Sequence, residues 1–398
     1  MKGTNVVDLT NSFTTDLHGV LRAAATASPL ATDEVTGATV VLRHGDVDAL
    51  AHDSRLNGIG LTLFDVMGIT DGPLRDWYGR LMFTTEGDYH RRVRSLVSRA
   101  FTPRSVGALQ AAAADMAREA VASAPDRGGD LVAACAPLGT WLTCQLLGVP
   151  RADVAVFSQW ADALSPVFFV MTPEQIAAAT TAITELHDYV DELTRRRADD
   201  PGPDLITALL ASEADGQRLT HAETVTMIAN LLVAGHDTTG SQIPCSLFVA
   251  LQHRDRLADV HTDEAAVASA VAETMRLEPS IPLIPRTAVA PIELHGTTIP
   301  EGAMVFFSIA AGSRDESVWS NPDDFEPDRF ARADAPKLLS FGAGTHFCLG
   351  TALAKVAVTE SLRAVLAATP ELRLTEDPAD IPWRQVLGRS PARLLTSA

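Results

Sequence analysis

A mainly helical fold with a small β region (α+β) is the class this 398-residue sequence predicts: one domain, 1–398, β-rich at about 28–60 and 285–310 and helical elsewhere. Three observations predict it. Apolar residues recur at helical spacing through most of 89–124, 130–198, 220–251 and 264–277, whereas alternation is confined to short runs near 30–42 and 287–308. A composition of 46% hydrophobic and 21% charged residues is that of a chain with a large core. No repeat, low-complexity tract or convincing linker divides the chain, against the soft prior of two or three domains that its length sets.

In chain order, Leu30 to Asp33 and Thr39 to Leu42 read as strands around a turn at Thr36-Gly37, and Asp46 as the cap of a helix towards Ala51. Residues 55–86 mix Gly, Asp and Thr with Leu61, Leu63, Phe64, Val66, Met67 and Ile69, which reads as a long loop covering a pocket. Helix follows from Tyr89 to about Ala124, broken near Thr102-Pro103, then over 130–198 with breaks at Pro137, Pro150, Pro166 and Pro173. In the last of these segments Ile176, Ile183, Val190 and Ala179, Leu186, Leu193 repeat by sevens, one face of an amphipathic helix packed on a core. Thr220 and Glu223 form a capping box that opens the longest helix, running to about Leu251 with an apolar centre from Met227 to Ala234. A helix from about Glu264 to Leu277 stops ahead of Pro279. Strands are expected at Thr287 to Val289, Ile292 to Leu294 and Met304 to Ser308, with a turn at His295-Gly296. Residues 310–345 are an irregular stretch that something must organise. A last helix runs from after Cys348 to about Ala368, followed by short strands.

Acidic residues outnumber basic ones 50 to 32, a formal net charge of −18. Phosphate backbones and anionic membrane surfaces repel such a chain, which argues against nucleic-acid partners. Cys135, Cys144, Cys245 and Cys348 form no close-spaced pair, so neither a disulfide framework nor a two-pair zinc site is expected. With no signal-peptide pattern and no apolar run of about 18 residues, the expectation is a cytoplasmic protein without a membrane anchor.

Three features carry chemistry. Cys348 follows Phe341, Gly342, Gly344 and His346 and precedes Gly350 where the last helix starts. Helix N–H groups favour a thiolate there, and the glycines let a flat ligand approach the backbone. An inert cysteine and a catalytic nucleophile remain open on these residues alone. Secondly, Ala234, Gly235, His236, Asp237, Thr238, Thr239 and Gly240 place glycines and polar groups inside an apolar helix, with Pro244 one turn on. Such residues are costly there unless hydrogen-bonded, so the stretch is either functional or a kink lined by water. Thirdly, Glu273 and Arg276 share a helix face, by itself a commonplace pair.

Taken together, order and spacing resemble the cytochrome P450 family from about Gly87 to Leu387. Phe341, Gly342, Gly344, His346, Cys348 and Gly350 are similar to its haem-ligand signature, and Ala234 to Thr238 to the oxygen-activation motif of its long central helix, which lies over the haem. Glu273 and Arg276 match its Glu-x-x-Arg, and Arg329 within Phe325 to Phe330 the arginine completing a triad that organises the irregular stretch. His90 and Arg94 resemble the pair that binds one haem propionate, Arg286 and His346 the other propionate partners. Ala343, Lys355, Ala357 and Gly87-Asp88-Tyr89 depart from common residues of the family, outside the reacting groups.

The resemblance implies haem b (iron protoporphyrin IX) with Cys348 as the metal ligand, a thiolate ligation that pushes electron density towards O–O cleavage. It implies that Gly235 leaves space for O2, and that Thr238 and Asp237 supply a hydrogen bond and protons for its activation. Leu63, Met82, Phe83, Phe168, Leu231, Ala234, Ile284 and Leu387 would line a pocket for a hydrophobic small molecule, although Phe168 reads equally well as ordinary core. The expected enzyme is a monomeric monooxygenase of secondary metabolism, hydroxylating or epoxidising its substrate. Electrons would come from an external ferredoxin and its reductase, docking near Arg91, Arg92, Arg104 and Lys355. Alternatives are a peroxide-driven or non-oxygenating haem enzyme, a catalytically silent partner-recruiting module and, from His346 and Cys348, a zinc hydrolase.

Overall fold

The computed structural model describes residues 5–124, 129–213, 216–257, 260, 263–368 and 372–397. Its internal packing separates two compact units: Met1–Asn57, Ala114–Ala136 and Ser241–Ala398 form the first, Gly58–Ala113 and Pro137–Gly240 the second.

The first unit is built on a six-stranded sheet in the order Val6–Val7, Leu30–Asp33, Thr39–Val41, Met304–Ser308, Leu283–Ala288, Leu56–Asn57. Thr39–Val41 runs parallel to Met304–Ser308, with Val41 beside Phe307, and Leu283–Ala288 runs antiparallel to it, with Ile284 beside Phe307 and Arg286 beside Val305. Side chains of successive strand residues point to opposite faces. Val41 therefore joins Val305, Phe307 and Ile309 in one cluster, while Val40 and Leu42 join Leu17, Leu21 and Ala24 of the helix Leu17–Ala27 in another. Both faces are covered. The hairpin Ile292–Leu294 to Thr297–Ile299 turns at His295 and Gly296, both at positive φ as a two-residue hairpin turn requires.

Three expectations change here. The helix His44–Leu50 is capped not by Asp46 but from outside: its N-cap Arg43 makes no side-chain cap, and Asp315 Oδ2 accepts the His44 N–H at 2.9 Å. Asp46 lies in the first turn and bonds His295 Nε2 at 2.6 Å. Residues 55–86 are not one long loop, because they contain the helices Thr62–Val66 and Pro73–Tyr78, which bury Phe64, Leu74, Trp77 and Tyr78. Helices of five or six residues are too short to show a period; Pro73 at the first helical position was the available signal. The stretch after Ser308 starts with a short helix, Ile309–Gly312.

In the second unit the helix Pro173–Asp199 buries Ala179, Ile183, Leu186, Val190 and Leu193, as its sevenfold repeat predicts, while Ile176 near its start is only half-buried. Against it packs Val154–Leu164, tied by Trp160 Nε1 to Glu185 Oε2 at 2.8 Å. The longest helix, His221–Gln252, spans about 48 Å at 1.5 Å per residue and passes through Pro244 without ending. Its capping box is present: Thr220 N–H donates to Glu223 Oε2 at 2.9 Å and Glu223 N–H to Thr220 Oγ1 at 3.2 Å. Among the described residues no helix is long and apolar enough to cross a membrane.

A buried charge cluster closes the first unit. Glu278 accepts from Arg389 at 3.1 Å, pairs with His18 at 2.9 Å and lies 3.6 Å from Arg314. Burial alone would raise its carboxyl, but His18, Arg314 and Arg389 outweigh that and hold its pKa at about 2, below the ordinary 4.5. A carboxylate depressed on folding stabilises fully above its unfolded pKa and loses that contribution as pH falls towards the folded value, here between about 4.5 and about 2. The gap corresponds to about 3 kcal/mol. Urea unfolding at pH 7 and pH 3 should therefore show wild type losing more stability on acidification than Glu278→Gln. Parallel losses would show that this carboxylate carries none of the effect.

Candidate active site

The cysteine segment belongs to the first unit. Gly342 N–H donates to Leu339 O at 2.7 Å, Cys348 N–H to Phe341 O at 2.9 Å and Phe347 N–H to Gly344 O at 3.1 Å. Gly342 and Gly344 sit at φ +69° and +67°, the left-handed region that disfavours a side chain. Gly344 is constrained twice, since a Cβ there would stand 1.9 Å from Ala51 O. Gly344→Ala is thus expected to cost about 2 kcal/mol or more in thermal unfolding and to loosen the cysteine segment. An unchanged melting temperature would contradict that close approach.

Gly350 O accepts the N–H of Ala354, so Gly350 stands at the entrance of the helix Thr351–Ala368, and Thr351 Oγ1 donates to Cys348 O at 2.7 Å. Cys348 is exposed, whereas Cys135, Cys144 and Cys245 are buried. Burial pushes the Cys144 thiol up to about 12 and raises Cys245 also, so neither offers a thiolate. Ile284 Cδ1 would lie 3.5 Å from a Cβ on Gly342, which places this strand residue against the cysteine segment. Two residues on, Arg286 is buried on the same strand face with its guanidinium over the Phe307 ring at 5.6 Å. His346 ends the turn Gly344–His346, and Leu387 is half-buried in the turn between Trp383–Gln385 and Arg389–Pro391.

Glu273, Arg276 and Arg329 are brought together. Arg276 donates twice to Glu273, both at 2.7 Å, and Arg329 Nε donates to Glu273 Oε1 at 3.0 Å. Their remaining donors reach backbone carbonyls of Ser313, Ser320, Asn321, Pro322 and Asp324. The irregular stretch is thereby organised by side chains where it has no ladder of its own.

In the second unit, Thr238 Oγ1 donates to Ala234 O at 2.6 Å and Asp237 is buried. Leu231, Ala234, Gly235 and Thr238 lie along one stripe of the long helix. A Cβ on Gly235 would meet Thr143 Oγ1 at 2.3 Å, and one on Gly139 would meet Gly240 N at 2.9 Å. Close packing of the helix Pro137–Leu147 is thus sufficient reason for the glycine at 235. His236 turns to Thr140 and, at 3.0 Å, to Asp162. These contacts were missed from sequence, although Gly139, Thr140 and Thr143 stand at helical spacing in an apolar segment.

His90 is buried in the helix Gly87–Ala100, with Nδ1 2.8 Å from Met82 O, and Arg94 follows one turn later. The carbonyl can only accept, so Nδ1 carries the proton. Phe83 and Phe168 pack at 5.4 Å, joined by Tyr78, which lies 4.3 Å from Phe64. Leu63 neighbours Phe64 but remains half-buried. Arg92 pairs with Glu223 and Arg91 with Asp88, so both of these expected docking cations are already committed within their unit.

The donor chemistry tests what cofactor the residues fit. Among the described residues no group of three or more His, Cys, Asp or Glu side chains is placed to hold a metal ion. A regular zinc site does not fit. One exposed thiol on a glycine-rich turn fits a metal that brings its other ligands in a flat macrocycle.

Comparison with known proteins agrees. A family model described as Cytochrome P450 matches residues 153–369. Luteothin monooxygenase of Streptomyces thioluteus is 31% identical over 88% of this chain and 86% of its own. Cytochrome P450 monooxygenase PikC of Streptomyces venezuelae is 36% identical, covering 76% and 72%. The structure of PksS, the cytochrome P450 of the Bacillus subtilis 168 bacillaene polyketide synthase, superposes with a TM-score of 0.85 at 26% identity over 97% of each chain. The mainly helical fold with a small sheet is the one these relatives share, and the chain belongs to the cytochrome P450 family of haem b monooxygenases.

Proposed function

We propose that this enzyme inserts one oxygen atom from O2 into a hydrophobic small molecule, by hydroxylation or epoxidation, as a tailoring step of secondary metabolism, with 1–398 acting as one catalytic domain. The relatives named as monooxygenases support the class, and the observation that carries the reading is the acid–alcohol pair Asp237-Thr238 beside the hydroxyl contact to Ala234 O.

Haem b, when bound, supplies dioxygen binding and the oxidising power. Cys348 would ligate its iron as a thiolate from the turn built by Phe341, Gly342, Gly344 and Gly350. His90 and Arg94, and Arg286 and His346, would supply charge-assisted hydrogen bonds to its propionates. For His90, Nδ1–H is held by Met82 O, which leaves Nε2 as the nitrogen that would meet a propionate. Thr238 Oγ1–H donates to Ala234 O, which leaves its oxygen able to accept, and rotation about χ1 would free the hydroxyl to donate instead. Asp237, buried next to it, would relay protons from solvent by side-chain rotation or through waters. Leu63, Met82, Phe83, Phe168, Leu231 and Ala234 of the second unit, and Ile284 and Leu387 of the first, would offer the substrate apolar contacts and keep water from it. An external ferredoxin and its reductase supply the electrons.

Thr238→Ala is expected to keep haem and substrate binding while product formed per electron pair falls by about tenfold or more and hydrogen peroxide rises. Product and peroxide yields measured together test this. Fully coupled turnover in the variant would refute the role given to Thr238.

A further inference from the structure

Within the second unit, an open cleft of about 490 Å³ lies among Gly79, Arg80, Thr85, Tyr89, Thr220 and Glu223, apart from the residues assigned to the reaction. Its charges are ordered. Glu223 is committed twice, accepting the Thr220 N–H at 2.9 Å and pairing with Arg92, whose guanidinium also lies 5.5 Å from the Tyr89 ring centre. That pair is neutral as a whole. Arg80 is different: among the described residues no carboxylate pairs with its guanidinium, while its backbone is anchored through the carbonyl that accepts Asn230 Nδ2 at 3.3 Å. The cleft therefore carries one uncompensated positive charge in a chain of net charge −18.

The groups whose titration Arg80 reaches are Tyr89 and His187, and the carboxylates acting on them are Glu223, held by Arg92, and the exposed Asp188. Burial raises the Tyr89 hydroxyl and lowers the His187 imidazole, and the Arg80 charge reaches both, pulling each downward. His187 Nε2 is buried without a hydrogen-bond partner among the described residues. Thr220 Oγ1 already accepts the Glu223 N–H, so its hydrogen is available to donate. Thr85 Oγ1 makes a long contact of 3.4 Å to Met82 O and reorients at little cost. A cation with two or three hydroxyl donors suits a single carboxylate. A phosphate dianion is disfavoured, because its second charge would face Glu223.

We infer that this cleft is a binding site for a small organic carboxylate, held by Arg80 with Thr85 and Tyr89 hydroxyls and with the body of the ligand against the Tyr89 ring. The site is separate from the reaction assigned above and stands whether or not that reaction is right. Its neighbours give it reach, since Tyr89 precedes His90 and Glu223 caps the helix that carries Asp237 and Thr238.

The test is isothermal titration calorimetry of the holoenzyme with benzoate and with benzamide, its neutral isostere, alongside the haem absorption spectrum. Benzoate should saturate one site, benzamide should bind at least about tenfold more weakly, and Arg80→Gln should lose about tenfold in benzoate affinity with its haem spectrum unchanged. Thr85→Val should lose less. Equal binding of the two probes, benzoate binding that survives Arg80→Gln, or no saturable binding up to about 10 mM would each overturn the inference. Binding in the substrate pocket would appear as the second of these, accompanied by a haem spectral shift.

Discussion

Glu273→Ala should leave little folded protein. Glu273 and Arg276 are fully buried, and Arg329 is nearly so. The carboxylate receives two bonds from Arg276, one from Arg329 and the backbone N–H of Glu326 at 3.1 Å. Truncating it strands two guanidinium groups in the interior, the case in which a broken buried pair costs about 3–5 kcal/mol. A domain's whole stability is only about 5–15 kcal/mol. Burial already lowers the Arg276 pKa, and Glu273 is the group that opposes this. Exposed pairs such as Arg118–Asp115 set the contrast: their removal should change stability by under about 1 kcal/mol. Urea unfolding of Glu273→Ala beside Asp115→Ala checks both statements. A Glu273→Ala protein within about 1 kcal/mol of wild type would show that the triad is not what holds the irregular stretch.

Cys348→Ser separates chemistry from folding. Cys348 is exposed and its bond to Phe341 O comes from the backbone, so the substitution removes the sulfur while leaving the turn intact. A serine hydroxyl stays protonated at neutral pH and lacks the soft, electron-rich donor that a thiolate offers iron. Turnover should fall by about a thousandfold or more, while the unfolding midpoint moves little. Substantial monooxygenation by folded, haem-loaded Cys348→Ser would remove the thiolate from the account.

What could be read in the sequence was whatever left a period or a motif. The helix Glu264–Leu277 has the bounds its pattern predicts, and the sevenfold repeat of Pro173–Asp199 names its buried face. The cysteine motif marked Gly344, and the backbone gives the cause: a positive φ and a carbonyl in the place of a side chain. Other features depend on partners far away in the chain. Asp315 caps a helix 271 residues before it, and Glu278 gathers His18, Arg314 and Arg389 from three separate segments. No local pattern encodes such pairings. The short helices within 55–86 failed for the opposite reason, being local but shorter than two turns, too brief for amphipathic spacing to show. Gly235 was legible as a glycine of special purpose, but the contact to Thr143 that requires it emerges only from the packing of two helices.

A sulfur–iron bond at position 348 is read most directly from the absorption spectrum of the purified, reduced protein under carbon monoxide. Wild type should show a strongly red-shifted Soret band that Cys348→Ser lacks. A wild-type band at the position of a haem protein without a thiolate ligand, or a colourless protein after expression with ample haem, would contradict it.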